Sequence, residues 1–211
     1  VFMVDDQFAH MTPKLVEAIR KLTNKPIKFL LNTHWHGDHT GGNENMNKEG
    51  AIIVAHENVR KRMSVDQFNK ERNRTTKASP KEALPVVTFT KDISFHMNGE
   101  DIMVFHVHNA HTDGDAMVYF TGSNVLHMGD TYFQGKYPYI DLASGGSIKG
   151  YIEAQKKALL LINDDTKIIP GHRNLSSKKE LKEYVTMLET VTDTIQQKII
   201  DGKTLDEVTN D

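Results

Sequence analysis

The sequence predicts an α/β (α+β) fold in which β-sheets pack in the middle and helices cover the outside. Two observations support this class. Short apolar segments with strand character outnumber helical segments, and the longest helical patterns come late, after residue 146. Elements in this order bury their apolar faces by layering helices on sheets. The 211 residues suffice for one domain with a buried core, so we expect residues 1–211 to form a single domain.

The first elements alternate between strand and helix. Val1–Val4 is apolar and predicts a buried strand, and we expect natural residues to precede it because the chain opens inside this element. Thr12 and Pro13 predict a helix start, with Thr12 as the N-cap and Pro13 at the first helical position. Ile27–Asn32 is the next apolar strand, and Ala51–Ala55 follows after a short helical stretch.

A polar segment separates these elements from the rest of the chain. His56–Met63 is predicted to be helical, and residues 60–82 are rich in Arg and Lys with little apolar periodicity. This composition is typical of a solvated surface connection. The alternative is a mobile lid over a site, because long connections without regular structure are often functional.

The middle and the end of the chain predict further strands and two long helices. Asn98-Gly99 lies between short alternating segments and predicts a two-residue hairpin turn. Ser147 is placed to cap a helix that runs to about residue 163, and Ser177 with Glu180 forms a capping-box pattern before a longer one. The predicted strands are Val86–Thr90, Asp101–His108, Ala116–Thr121, Asn124–Met128 and Lys167–Ile169.

Composition and charge exclude several kinds of protein. There is no cysteine, which rules out disulfides, thiolate nucleophiles and cysteine-based zinc sites. The formal net charge of -2 argues against a general nucleic-acid or membrane-surface binder. No apolar run is long enough to span a bilayer. We therefore expect neither a nucleic-acid partner nor a membrane association.

The most informative segment is the run HWHGDH, from His34 to His39, which follows the strand Ile27–Asn32. Four of its six side chains are strong metal ligands. Imidazole and carboxylate together suit zinc, iron or manganese. The alternative is a polar loop with surface histidines, and the recurrence of similar groups farther along the chain argues against it.

Three further candidate ligands lie where predicted strands give way to loops. His111 follows one strand, Asp130 closes the segment Leu126–Gly129, and His172 closes Ile168–Gly171. Rigid sheets often present functional groups at strand ends, and glycine there allows a close approach of the backbone. We therefore take these three residues as candidates for the same site.

These motifs resemble those of the metallo-β-lactamase-fold hydrolase superfamily. Its H-x-H-x-D-H motif corresponds to His34–His39, and its later His, bridging Asp and final His correspond to His111, Asp130 and His172. The resemblance covers nearly the whole chain, with order and approximate spacing kept. It implies a four-layer αβ/βα sandwich of two mixed β-sheets with helices on the outer faces, and it implies that the first N-terminal strands of the family are missing here.

The resemblance also implies a site for two metal ions per chain, expected to be Zn²⁺ with Fe or Mn as alternatives. A hydroxide shared by the two ions would attack the substrate, and Asp38 would orient it as a catalytic residue. Asp130 would bridge the ions. The other implied ligands are His34, His36 and His111 for the first ion and Asp38, His39 and His172 for the second.

The implied activity is hydrolysis of a small molecule by attack on the carbonyl group of an amide or lactam, a lactone or a thioester. The cysteine-free, β-lactamase-like or "cyclase"-like branch fits best, and a glyoxalase II-like thioesterase or a lactonase is the alternative. A nuclease, a mono-iron sulfur oxygenase and a non-catalytic metal staple fit less well. The β-lactamase-like branch favours export to a periplasm. The oligomeric state is not predicted.

Two residues near the implied ligands are candidates for substrate binding. The Tyr132 hydroxyl, close after Asp130, could donate to a developing oxyanion, although simple pocket lining is the alternative. Asn174, just beyond His172, could contact a substrate carboxylate. The remaining histidines are expected to be packing or surface residues, and they are His10, His56, His96, His106, His108 and His127.

Overall fold

The computed structural model describes residues 1–70 and 73–210. Over these residues two central sheets face each other, and helices cover their outer faces. The strands are β1 (Phe2–Val4), β2 (Phe29–Asn32), β3 (Ile52–His56), β4 (Gln67–Asn69), β5 (Arg74–Thr76), β6 (Val87–Phe89), β7 (Asp92–Met97), β8 (Glu100–His106), β9 (Ala116–Phe120), β10 (Val125–Phe133) and β11 (Lys167–His172). The helices are α1 (Thr12–Leu22), α2 (Gly37–Thr40), α3 (Asn43–Lys48), α4 (Glu57–Met63), α5 (Ile148–Leu161), α6 (Lys178–Ile200) and α7 (Leu205–Thr209).

The alternation of side chains along the strands produces the layers. In β2, Leu31 lies in the apolar cluster between the sheets together with Val118 of β9. Its neighbour Leu30 points the other way and shares a cluster with Val16 of α1 and Met46 of α3. The first sheet is therefore buried on both faces, which is why its strands are almost wholly apolar.

The second sheet repeats this arrangement on the opposite side of the molecule. Met117, next to Val118 in β9, packs outward into a cluster with Tyr151 of α5 and Leu181 of α6. The order of layers is thus helix, sheet, sheet, helix. The predicted four-layer sandwich is confirmed.

The two sheets differ in how their strands pair. The first has the order β1-β2-β3-β6, and its described pairs are all parallel. The second has the order β11-β10-β9-β8-β7 and is mixed, with one parallel pair, β10 with β11. Mixed pairing was expected in both sheets. The first is parallel because a helix lies in each connection between its successive strands, which returns the chain to the same end of the sheet.

Several predicted element ends differ from the structure, and two of the differences have a clear structural cause. Thr12 is the first residue of α1, with φ -51° and ψ -48°, and Met11 takes the N-cap position because a 3-10 turn, Ala9–Met11, runs directly into the helix. Strand β10 continues past its predicted end to Phe133, since its pairing with β11 resumes after a register shift around Gly129.

The polar segment carries regular structure that its sequence pattern does not predict. After α4, β4 and β5 form a two-stranded antiparallel hairpin, in which Gln67 is opposite Thr76 and Asn69 is opposite Arg74. The strands are only three residues long and mostly exposed, so burial leaves no alternating apolar pattern in them. No helix in the described part of the chain is both long and apolar enough to cross a membrane.

The outer helical layer supplies a matched test of core packing. Leu181, at the start of α6, is fully buried, whereas Leu160 near the end of α5 is 88% exposed. We expect Leu181→Ala to lower the free energy of unfolding by about 2–5 kcal/mol, because the cavity left behind cannot collapse completely. Leu160→Ala should change it by less than about 0.5 kcal/mol. Denaturant unfolding of both variants checks this, and equal effects would contradict the assigned layer.

Candidate metal centre

The predicted ligands converge at one edge of the two sheets. His34 and His36 follow β2, and the short helix α2 carries Asp38 and His39. The loop before β9 supplies His111, β10 supplies Asp130, and His172 ends β11. The structure brings the seven side chains into two adjacent groups, each with ligand atoms within 4.8 Å of one another, and the groups are His34, His36, His111 and Asp130, and Asp38, His39 and His172.

The first group is an imidazole triad with a carboxylate beside it. His36 Nδ1 lies 3.1 Å from His34 Nε2 and 2.9 Å from His111 Nε2. Asp130 Oδ2 lies 3.9 Å from His34 Nε2 and 3.6 Å from His111 Nε2. Three ring nitrogens thus point at one small volume, as nitrogen ligands of a divalent cation do.

The second group shares its carboxylate neighbour with the first. Asp38 Oδ2 lies 3.6 Å from His39 Nε2 and 3.4 Å from His172 Nε2. Asp130 also reaches this group, with Oδ1 3.1 Å from His39 Nε2 and Oδ2 3.2 Å from His172 Nε2. Asp130 therefore lies between the two groups and contacts both.

The outer nitrogens of four imidazoles have fixed partners. His36 Nε2 donates to Asp141 Oδ2 at 2.9 Å, and His39 Nδ1 donates to Asp5 Oδ2 at 2.7 Å. Such contacts hold the tautomer and leave the other nitrogen's lone pair facing the centre. The other two partners are the Thr33 hydroxyl for His34 Nδ1, at 3.1 Å, and the Tyr139 carbonyl for His111 Nδ1, at 2.7 Å.

Asp5 holds several segments at once. Its Oδ1 accepts from the Thr33 backbone N–H and its Oδ2 from the Thr33 hydroxyl, both at 2.7 Å, in addition to His39. Its backbone is left-handed, with φ 55°, a conformation that costs a non-glycine residue about 1–2 kcal/mol. Three hydrogen bonds to one carboxylate offset that cost.

Two glycines allow the close approach of β10, β11 and the loop after β2. Gly129 has φ +52°, and a Cβ there would lie 2.7 Å from the Thr33 hydroxyl oxygen. A Cβ on Gly171 would overlap the Asp130 carboxylate and lie 2.6 Å from the carbonyl carbon of Gly129. Only glycine leaves room for Asp130 in its observed place.

Imidazole pKa values are shifted in opposite directions in the two groups. Burial lowers the pKa of His111 to about 4, and it also holds the pKa of His34 well below its ordinary value. These rings are neutral at neutral pH, so their lone pairs are available to a metal. Hydrogen bonds to Asp130 and Asp38 raise the pKa of His172 to about 9. A cation in the second group would have to displace a proton from this ring.

The residues fit a pair of metal ions on two grounds. The donors are nitrogen and oxygen, the ligands that zinc, iron and manganese accept. His39 Nε2 and Asp130 Oδ1 are buried without a hydrogen-bond partner, since their 3.1 Å approach lacks hydrogen-bond geometry. Unsatisfied buried polar atoms are costly unless something else binds them, and both of these point into the cluster.

A cavity of about 470 Å³ opens over the cluster. Asp38, Asp130 and His172 lie at its floor, and Trp35 and Phe133 belong to its walls. The β4–β5 hairpin covers one side with five residues, which are Gln67, Phe68, Asn69, Arg74 and Thr76.

The structure does not bring the two predicted substrate-binding residues to this cavity. Tyr132 is 1% exposed, packs edge-on against Tyr184, and its hydroxyl is 2.9 Å from Ser176 Oγ. Asn174 is exposed beyond His172 and is not among the residues that line the cavity.

The residues that support the ligands were not predicted from the sequence. Asp5 stands at a strand end beside Asp6, which is a detectable signal of the kind that identified the ligands. Asp141 and Tyr139 lie in an irregular segment with no such signal. The hairpin residues of the cavity were missed because the polar segment around them predicts no strand.

Comparisons with known proteins agree on one family. The sequence profile described as the Metallo-beta-lactamase superfamily matches residues 5–172. A hydroxyacylglutathione hydrolase from Pelagibacter ubique (strain HTCC1062) is 27% identical over 161 residues, which are 74% of this chain and 56% of the relative. A protein of the same name from Prochlorococcus marinus (strain NATL1A) is 28% identical over 163 residues, 73% of this chain and 54% of the relative. The chain thus spans just over half the length of these curated relatives.

Solved structures give the same fold. A metallo-beta-lactamase from Pontibacter korlensis superposes with a TM-score of 0.71 at 20% identity, covering 88% of this chain and 80% of the other. The DIM-1 metallo-beta-lactamase superposes with a TM-score of 0.70 at 21% identity, covering 90% and 81%. At this level of identity the likeness establishes the fold.

The Asp141 contact predicts a specific loss of metal affinity. We expect Asp141→Asn to weaken binding in the first group by roughly 10–100-fold, because the His36 ring loses the carboxylate that orients it. Competition with a chromophoric chelator measures the affinity. Asp165→Asn, an equal charge change at an exposed position, is the control. Equal affinities of the two variants would contradict an orienting role for Asp141.

The close approach at Gly171 predicts a steric defect. Gly171→Ala should displace the Asp130 carboxylate and lower the free energy of unfolding by about 1–3 kcal/mol, as overpacking does. Metal content and thermal unfolding measure the two effects. Gly37→Ala is the matched control, since a Cβ there meets nothing within 4 Å. Full metal content in Gly171→Ala would contradict the steric argument.

Proposed function

Because the chain belongs to the metallo-beta-lactamase superfamily, we propose that it is a metal-dependent hydrolase that cleaves an amide or lactam, a lactone or a thioester at its carbonyl group. The observation that carries the proposal is the two-group cluster with Asp130 between the groups, at the floor of an open cavity. The cavity volume of about 470 Å³ lies in the range of small-molecule sites. We accordingly infer a small-molecule substrate.

We propose that both groups are metal sites and that the resident metal is zinc, with iron or manganese as alternatives. His34, His36 and His111 would hold the first ion, and Asp130 would be shared between the two. Bound divalent cations would supply a lowered pKa for water and positive charge that polarises a carbonyl. The second ion would be held by Asp38, His39 and His172.

The chain's own residues have three further roles in this proposal. Asp38 is partly exposed at the cavity floor, with 30% of its side chain accessible, so we assign it to orient the attacking water by accepting a hydrogen bond. Asp5 and Asp141 hold the imidazoles of His39 and His36 in place. The aromatic walls, Trp35 and Phe133, offer apolar surface to the substrate.

A β-lactamase-like substrate is the first candidate, supported by the fold shared with solved metallo-beta-lactamases. A thioester is the second candidate, because the curated relatives are named hydroxyacylglutathione hydrolases. A periplasmic location stays a prediction from the family resemblance.

A metal assay joined to a substrate panel tests this function. Purified protein should contain about two metal ions per chain and turn over at least one of a chromogenic cephalosporin, a lactone and S-lactoylglutathione. A chelator should abolish turnover, and zinc should restore it. Asp38→Asn should lower kcat by about 10²–10⁴-fold, whereas Asp165→Asn should leave it unchanged. Fully metallated protein that is inert across such a panel would refute the proposal.

A further inference from the structure

The β4–β5 hairpin is an anchored cover of the cavity. At its base, Nε and Nη2 of Arg62 donate to the two carboxylate oxygens of Asp113, each at 2.7 Å. Gln67 donates to the Arg62 carbonyl at 2.9 Å, and Lys77 pairs with Asp66 at 2.7 Å. These contacts hold the two strands in a defined position over the cavity.

The pairing register gives the hairpin a polar face. In an antiparallel pair, residues opposite each other point to the same side. Gln67 is opposite Thr76 and Asn69 is opposite Arg74, so these four side chains share one face. All four line the cavity; on the other face Phe68 also lines it and Thr75 does not. The hairpin therefore presents its polar face to whatever the cavity binds.

Arg74 differs from four basic residues of the polar segment that have partners within the protein. Arg60 donates to the Pro85 carbonyl, Lys61 pairs with Glu57, and Arg62 and Lys77 pair as described above. Those cations stabilise the protein itself. Arg74 makes no ion pair with any described carboxylate.

The position of Arg74 is also distinctive. Of the described residues that line the cavity, it is the one with a permanent positive charge. A guanidinium group matches a carboxylate or phosphate with two parallel hydrogen bonds. An anion on the substrate is the partner that this position lacks among the described residues.

We propose that the cavity-facing side of the hairpin selects substrates that carry an anionic group, and that Arg74 binds that group. This rests on the proposed hydrolase function and names the class of its substrate. Arg74 is a specificity-determining residue here, because it contacts a part of the substrate remote from the cleaved bond. Four basic residues of this segment thus have partners within the protein, and Arg74 is assigned to substrate binding.

A matched pair of thioesters tests the proposal. Both are thioesters of 3-phenylpropanoic acid. The thiol is thioglycolate in one and thioglycolamide in the other, so the two substrates differ only in having a carboxylate or a carboxamide. The released thiol can be read with a thiol reagent without background, since the chain has no cysteine. The wild-type protein should prefer the carboxylate in kcat/KM. Arg74→Ala should reduce that preference by about tenfold, chiefly through KM, as expected for a solvent-exposed charged hydrogen bond.

Three controls separate the charge from other effects. Lys70→Ala removes an equal charge from the same hairpin at an exposed position that does not line the cavity, and it should keep the preference. Arg74→Lys should retain part of it. Raising the ionic strength should shrink the preference in wild-type protein and leave Arg74→Ala unaffected.

A binding measurement separates this proposal from the hydrolase function. Trp35 is the single tryptophan of the chain and lines the cavity, so its fluorescence reports occupancy. The probes are the thioether analogues of the two thioesters, which cannot be hydrolysed. The proposal is supported if the wild-type protein binds the carboxylate analogue more tightly than the carboxamide analogue and Arg74→Ala does not. This holds even if neither thioester is turned over. An equal preference in Arg74→Ala and Lys70→Ala, in binding or in turnover, overturns it and leaves the hydrolase function standing.

Discussion

The site depends on one carboxylate that two groups of imidazoles share. Asp130 lies within 3.9 Å of a ring nitrogen on each of four histidines, from three separate parts of the chain. Burial opposes its ionisation, but the surrounding imidazoles, His34 first among them, outweigh burial and hold its pKa well below the ordinary value. A permanently charged, buried anion needs such partners. The register shift in β10 around Gly129 places it where they meet.

The contacts outside the cluster fix the orientation of its imidazoles. Asp5 joins the end of β1 to the loop after β2 and to α2. Asp141 joins the first group to a turn in which Ser144 donates to the same carboxylate oxygen at 2.6 Å. Four of the five rings therefore have one nitrogen bound to the surrounding protein, and their other nitrogens face the cluster. The two sheets position these groups, and the hydrogen bonds set their orientation.

The sequence predicts those parts of the molecule in which burial or side-chain capping produces a local sequence pattern. The apolar strand before His34 and the capping box at Ser177 and Glu180 are of this kind, and both are present in the structure. The grouping of His34–His39 with His172 follows from strand ends meeting at one edge. Tertiary context decides the rest. The hairpin has short exposed strands, and Asp141 acts through a contact with a residue 105 positions away.

The clamp between Arg62 and Asp113 links the cover to the metal cluster. Asp113 stands two residues after His111, and its backbone carbonyl also accepts from Asn58 of α4 at 2.9 Å. Rearrangement of the hairpin base would thus be transmitted to a ligand loop through a single ion pair. Substitution of the cavity-facing residues of β4 and β5 would therefore change substrate contacts without disturbing the cluster only while the Arg62–Asp113 ion pair is kept. Substitutions in β4 and β5 should accordingly leave the metal cluster intact, whereas substitution of Arg62 or Asp113 should disturb the loop that carries His111.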